Sequence, residues 1–556
     1  MIGLPQLISN LQVIARETGL RSAERFLYPA LALDAQRVYQ PFLLKTEGQR
    51  VLLINAAERG NFSLGELIPT VKVRYLGYYF TFDDADDWPG TEFCSAIAEI
   101  IGEAAELEVD ADLVVGYYFH LRQQQRVVIH GRKEKDAKVH VYSIPTTDVT
   151  NRFTESRRQL EPFACLVAAE LNEYNDIVPY LEVTEDNRFS LLDKLMTEQG
   201  LDALWLSSSL NLQEVTGLGF KTLEPKMIGA LYVKGSDEIY LVCPEFIPEQ
   251  GWRYLGRFCL AGFLRQQIGE TASLGIEEEN LTLDAYLALQ WPEEQVGPAT
   301  ALLRQWREER TGDDLLAYIL CSVATRRGIE NALAWAEEAI GLKKTITEAD
   351  VANRFRAALD AFQTEHRLPA FFRTEFIVIH SGTRTYYPAH PAADYGLSKH
   401  INSLKIDAGV SLVNAKGILL GCSDLARTSV FTTAGEKIYA LENRAIQTML
   451  SNAKAGMTGE DVYLIGLSTL VRHQSLIEKV GLIPPNFSLF RQYHRHMGHI
   501  LGKQEKSRLT FRRGNHIRLK PGMIGCAEIH WPYRQHCIAF EDMFLVTPAG
   551  LVNITC

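Results

Sequence analysis

The stretch Ser403–Val430, SLKIDAGVSLVNAKGILLGCSDLARTSV, decides how this chain is read. It sets Asp407 at the end of one apolar run and Asp424 at the end of another, 17 residues later. A lone carboxylate buried beside such runs is costly, so it must change its pKa, find a cation or bind a metal. The segment SLVNAKG reads as an extended hairpin between the two acids.

Working outward, strand-like runs follow one another in the last third of the chain: EFIVIHSG, SLKIDAG, GILLGCSD, MIGCAEIHW and HCIAFEDMFLV. Each carries an acid or a histidine, so the predicted site is built on sheets. Of the 14 histidines, 11 lie after residue 365. His390 and His499 are candidates there, and Glu528 and Glu541 join the two aspartates. Four buried carboxylates cannot all stay ionised without cations, and two divalent metals would balance them. Oxygen ligands with one imidazole suit Mn, Fe, Co or Zn. A metal pair can hold a bridging hydroxide and polarise a carbonyl. The rival is a set of acids paired with Arg427, Arg491 or Arg534, or solvated at strand ends.

Length and composition bound the rest. A chain of 556 residues exceeds one hydrophobic core and suggests about three or four domains. It is 46% hydrophobic and 22% charged, as in ordinary soluble proteins. The net charge of -11 argues against binding nucleic acid through its phosphates. No apolar run approaches the roughly 20 residues needed to span a bilayer. The first residues read as a helix rather than a secretory signal. Nine cysteines without a CxxC pair suit reduced thiols in a cytoplasm.

Two internal echoes divide the chain. FLLKTEGQRVLLIN (Phe42 to Asn55) and LYVKGSDEIYLVCP (Leu231 to Pro244) both have hairpin patterns, which suggests two successive α/β domains. Between them, RFSLLDKLMTEQG predicts a helix stopped at Gly200, and DALWL a buried strand. Farther on, IENALAWAEEAIGLKKTITEADV resembles LENRAIQTMLSNAKAGMTGEDV. Thr347 with Asp350 and Thr458 with Asp461 predict N-cap and N3 pairs. The last domain is therefore expected to consist of two similar halves. The basic stretch Arg122 to Ser143 is predicted to be a solvated hairpin.

The ordered elements IDAG, SDLARTSVF, GHILG, LKPGMIGCAEIHW and IAFEDMFLVT together resemble the pita-bread metallopeptidases, a family that includes aminopeptidase P, prolidase and creatinase. The resemblance implies a mixed α/β and α+β fold: two creatinase-type N-terminal domains (1–180 and 181–300), then a pita-bread catalytic domain (301–556). It implies two divalent ions, with Mn favoured, held by Asp407, Asp424, His499, Glu528 and Glu541. Asp407 would bind one metal through both oxygens, and Asp424 and Glu541 would bridge. Glu528 would double as general base, and His390 would meet the substrate. The implied activity is Xaa-Pro aminopeptidase hydrolysis by a metal-bridging hydroxide, on a peptide or small amide, in a cytoplasmic homodimer free of nucleic acid and membrane.

The chain also departs from the family. Lys506 stands where a second histidine is usual, and Arg495, between His494 and His496, where another is common. Ala539 replaces an arginine. Lys506, His496 and Arg495 are the candidate substrate-binding residues beside His390. Cys422 and Cys526 are expected to line the site, each two residues before a ligand. Three functions stay open: the Xaa-Pro aminopeptidase, a related hydrolase for a non-peptide amide or modified amino acid, and a peptidase-fold binding protein without activity.

Overall fold

The structure is a computed structural model that describes residues 42–47, 50–55, 106–110, 115–122, 127–130, 138–171, 177–178, 181, 186–219, 229–247, 252–381, 392–397, 401–480, 483, 488–493, 495–503, 507–533 and 536–555. The expected N-terminal helix lies outside these residues. The chain forms two compact units. One comprises Met1–Thr146, Asp193–Thr216 and Leu223–Leu302, the other Thr147–Leu192, Gly217–Thr222 and Leu303–Cys556.

Among the described residues the first unit holds two sheets. Strands β1 (Phe42–Glu47) and β2 (Arg50–Asn55) form the antiparallel hairpin of the first echo, and β3 (Glu106–Asp110) and β4 (Val127–His130) extend it in parallel. The second sheet contains β5 (Lys138–Pro145), β6 (Ala203–Leu206), β7 (Gly229–Val233), β8 (Glu238–Cys243), β9 (Arg253–Cys259), β10 (Leu274–Ile276) and β11 (Val296–Pro298), in the order β11-β10-β6-β7-β8-β5-β9. The hairpin β7–β8 is the second copy of the echo. Helix α1 (Arg188–Glu198) buries Leu192, Leu195 and Met196 and stops where Gly200 turns to a φ of 68°. The stretch around residues 122–143 is not the expected hairpin. β4 pairs with β3 in the first sheet, while β5 runs between β8 and β9 in the second. The reason is composition: Val139, Val141, Tyr142 and Ile144 are buried, so β5 belongs in a sheet interior.

In the second unit the chain runs twice through the same order. Helix α2 (Leu315–Gly341) is followed by α3 (Glu348–His366), then by β13 (Ala370–Ser381), β15 (Ser403–Asn414) and β16 (Leu419–Val430). The minor strands β12 (Ile346–Thr347) and β14 (Gly396–Leu397) pair with each other. Then α4 (Thr433–Asn452) and α5 (Gly459–Arg472) precede β17 (Gly498–Ile500), β18 (Ile524–Tyr533), β19 (His536–Val546) and β20 (Leu551–Asn553). Both echoed threonines close full capping boxes, Thr347 with Asp350 on α3 and Thr458 with Asp461 on α5. Each box satisfies two backbone N–H groups that the helix itself leaves free.

Strand β15 is buried along its whole length. Helix α2 packs on β15 and β16, and β19 also packs on both strands. The β15–β16 hairpin closes at Asn414, whose Oδ1 accepts from the Lys416 and Ile418 amides, with Gly417 at a φ of 81°. The second half packs α4 and α5 over β18 and β19 around Met449, Tyr463, Leu467 and Phe544. Burying each such side chain contributes about 1.5–3 kcal/mol.

Candidate metal centre

Alternation along the strands decides which side chains meet. On β15, Lys405, Asp407 and Gly409 share one face, and Gly409 stands opposite Asp424 of β16. Asp407 and Asp424 are therefore diagonal neighbours. On the facing sheet Glu528 of β18 and Glu541 of β19 are direct register partners, and His499 of β17 stands opposite Cys526. Like charges placed directly across a strand pair repel, so Glu528 and Glu541 together call for a cation.

The five expected ligands are all buried. His499 Nε2 lies 3.6 Å from Asp424 Oδ2, 3.7 Å from Glu528 Oε1 and 3.4 Å from Cys526 Sγ. Ligand atoms of Asp424, His499, Cys526 and Glu541 all fall within 4.8 Å of one another, and so do those of Glu528, His530 and Glu541. His499 Nδ1 sits 3.2 Å from the Ile500 carbonyl, which only accepts. Nδ1 therefore carries a proton, which leaves Nε2 as the ring nitrogen that faces the acids and would ligate a metal. Gly498 makes this approach possible: at a φ of 136°, a Cβ would sit 2.3 Å from the Cys526 carbonyl.

Electrostatics follow the same geometry. Burial pushes the Glu528 carboxyl up, but His496, His530 and His499 outweigh it and hold the group down at about 2. Burial, and then Glu528 and Asp407, push the Glu541 carboxyl well above the usual range. Burial, Glu541 and Asp424 likewise raise the Cys526 thiol. Asp424, His499 and Glu541, with Cys526 beside them, thus fit a divalent cation: oxygen donors, an imidazole nitrogen that faces the acids and excess negative charge.

The Asp407 side is different. Lys405, fully buried, places Nζ 3.0 Å from Asp407 Oδ2. His530 stands beside both, with Nδ1 3.5 Å from Lys405 Nζ and 3.6 Å from Asp407 Oδ2. Its Nε2 lies 3.0 Å from Glu528 Oε2. As it stands, Asp407 fits an ammonium ion better than a second metal.

The other expected residues fall as follows. His496 reaches the cluster, with Nδ1 3.4 Å from Glu528 Oε1. Arg495 donates to the His530 carbonyl at 2.9 Å and so braces β18. His390 and Lys506 lie outside the described residues. Arg427 pairs with Asp542, on the opposite face of β19 from Glu541, rather than with a ligand. Sequence reasoning missed Lys405 and His530. Both were signalled by spacing, since each lies two residues from a candidate ligand on the same strand face.

Metallopeptidase family M24 matches residues 321–548, and the creatinase/prolidase N-terminal domain matches residues 188–308. A comparison with curated proteins gives no match. Among solved structures the chain is similar to an Xaa-Pro dipeptidase from Bacillus anthracis, with 18% identity and a TM-score of 0.50 over 66% of this chain and 97% of that one. It is also similar to a dipeptidase from Pyrococcus horikoshii OT3, with 18% identity and a TM-score of 0.50 over 66% and 98%. A prolidase from Thermococcus sibiricus gives 15% identity and a TM-score of 0.50 over 67% and 98%. At such identities the likeness to these structures concerns the fold. The two family matches lie in sequence along residues 188–548 and identify this part of the chain as a creatinase/prolidase-type N-terminal domain followed by a domain of metallopeptidase family M24.

Proposed function

We propose that this protein is a divalent-metal-dependent hydrolase that releases the residue preceding proline from a peptide. The single observation that carries the reading is the convergence of Asp424, His499, Glu528 and Glu541 from four strands into one buried cluster. Isolated acids would not be held together there without a cation to share. A divalent ion supplies charge that polarises a carbonyl and stabilises the developing oxyanion. The protein's own groups do the rest: Glu528, kept ionised by its histidines, takes the proton from the attacking water. His496 stands beside Glu528, with Nδ1 3.4 Å from Oε1, and the buried β15 and β16 exclude bulk solvent. We propose with it the division into 1–180, 181–300 and 301–556; the family matches over 188–308 and 321–548 support the last two of these. A cytoplasmic homodimer is part of the same proposal, drawn from family resemblance, and sedimentation tests the dimer.

The deciding experiment incubates metal-loaded protein with Xaa-Pro dipeptides and with longer Xaa-Pro peptides. Release of the first residue, lost in His499→Ala, supports the proposal. Bound metal without release from either peptide favours a hydrolase for a non-peptide amide. One observation favours the binding-protein reading: the Lys405–Asp407 pair lets part of the acid cluster persist with no metal. Absence of bound metal after reloading would establish that reading instead.

A further inference from the structure

We infer that Lys405 takes the place of one cation, so that the centre binds a single divalent ion at Asp424, His499 and Glu541. The inference rests on the metal-dependent reading above and narrows it. Lys405 and Asp407 share a strand face two residues apart, and the ammonium sits 3.0 Å from Asp407 Oδ2. The lysine is fully buried, so its head has no hydrated position close by to retreat to when a metal arrives. A second divalent ion chelated by Asp407 would have to share that carboxylate with a like charge.

Hydrogen-bond roles extend the argument. An ammonium only donates, so His530 Nδ1, 3.5 Å away, accepts from Lys405. The ring proton then sits on Nε2, 3.0 Å from Glu528 Oε2. His530 therefore brings its proton-bearing nitrogen beside Glu528, whereas His499 brings the nitrogen that would ligate a metal. Asp407, Lys405, His530 and Glu528 form one chain of paired groups along one side of the cluster. Among the described residues, Asp407 belongs to neither group of close ligand atoms. The group Glu528, His530 and Glu541 is the rival position for a second ion, and the protonated Nε2 stands in its way.

The test strips the full-length protein with EDTA, reloads it with Mn2+, Zn2+ or Co2+, and counts bound ions by native mass spectrometry. The expected result is one ion per wild-type chain and two in Lys405→Met, where Asp407 and His530 are released. Two ions in the wild type overturn the inference and leave the metal-dependent reading standing. No ion in the wild type overturns both. One ion in both proteins overturns the role given to Lys405. If Lys405→Met alone does not fold, the double variant Lys405→Met/Asp407→Leu replaces the buried pair with apolar groups, a change such sites tolerate. It is expected to fold and bind one ion, and loss of that ion would show that Asp407 is a ligand after all.

Discussion

The cross-strand pair Glu528–Glu541 makes the metal-free protein pay for its function in stability, and Glu541→Gln measures how much. Their ligand atoms lie within 4.8 Å. Two full charges at that separation repel by about 3.5 kcal/mol at an effective dielectric constant near 20. Glu541 escapes part of this by keeping its proton, since burial, Glu528 and Asp407 push its carboxyl well above the usual range. The folded protein then holds a proton that the unfolded chain has released. The cost is absent below the ordinary glutamate value of about 4.3 and grows as the pH rises above it. Glu541→Gln is therefore expected to stabilise the metal-free protein by about 1–2 kcal/mol at pH 8 and to change nothing at pH 4. The assay is thermal unfolding of EDTA-treated protein, following the transition that added Mn2+ moves. For a domain of this size class the shift is about 2–4 °C per kcal/mol. Mn2+ at 100 times its dissociation constant should stabilise the wild type by about 2.7 kcal/mol and the variant much less. A variant that is no more stable than the wild type at pH 8 without metal, or that gains as much from Mn2+, would refute the reasoning.

Other perturbations address the scaffold. Glu442 on α4 is buried, neither carboxylate oxygen has a hydrogen-bond partner among the described residues, and burial raises its carboxyl well above the ordinary range. Glu442→Met should stabilise the protein by about 1–3 kcal/mol at neutral pH and by progressively less toward pH 4, read by thermal unfolding across that range. Arg157 pairs with Asp314 at 2.8 Å and with Asp186 at 3.2 Å in a buried network. Arg157→Met should destabilise the protein in urea unfolding by less than the about 3–5 kcal/mol of a stranded buried charge, because Arg188 stays on Asp186 and Lys503 on Asp314. Despite burial, Arg188, Arg310 and Arg157 hold the Asp186 carboxyl far below the usual aspartate range. Its stabilising contribution is thus present above about pH 4 and is lost as the pH falls below that value. Thr347→Ala and Thr458→Ala should each cost about 1 kcal/mol in thermal unfolding and leave metal binding unchanged.

Local chemistry made much of this fold legible. The segment NAKG signals a turn, and the hairpin it closes sets Asp407 and Asp424 on one face. Thr-x-x-Asp signals a capped helix start, and both occurrences cap one. Acids within apolar strands point to a buried cluster, and the cluster is there. What the sequence hides is set by pairing between distant strands. Glu528 faces Glu541 because β18 and β19 pair in one register, and a shift of one residue would turn every side chain over. Lys405 is visible in SLKIDAG as a charge beside Asp407, but its partner His530 comes from the other sheet. Ala539, conspicuous as a lost arginine, is the register partner of His530, so an imidazole stands beside that position from the neighbouring strand. The apparent hairpin near residue 130 misled because local charge cannot report which sheet a strand joins.

The most direct test of the central claim is anomalous diffraction from crystals grown with Mn2+, recorded at the manganese absorption edge. The account predicts a peak bounded by Asp424, His499 and Glu541, with Lys405 still on Asp407. Crystals with no peak there, and with the acids closed onto Lys405 and the histidines alone, would contradict it.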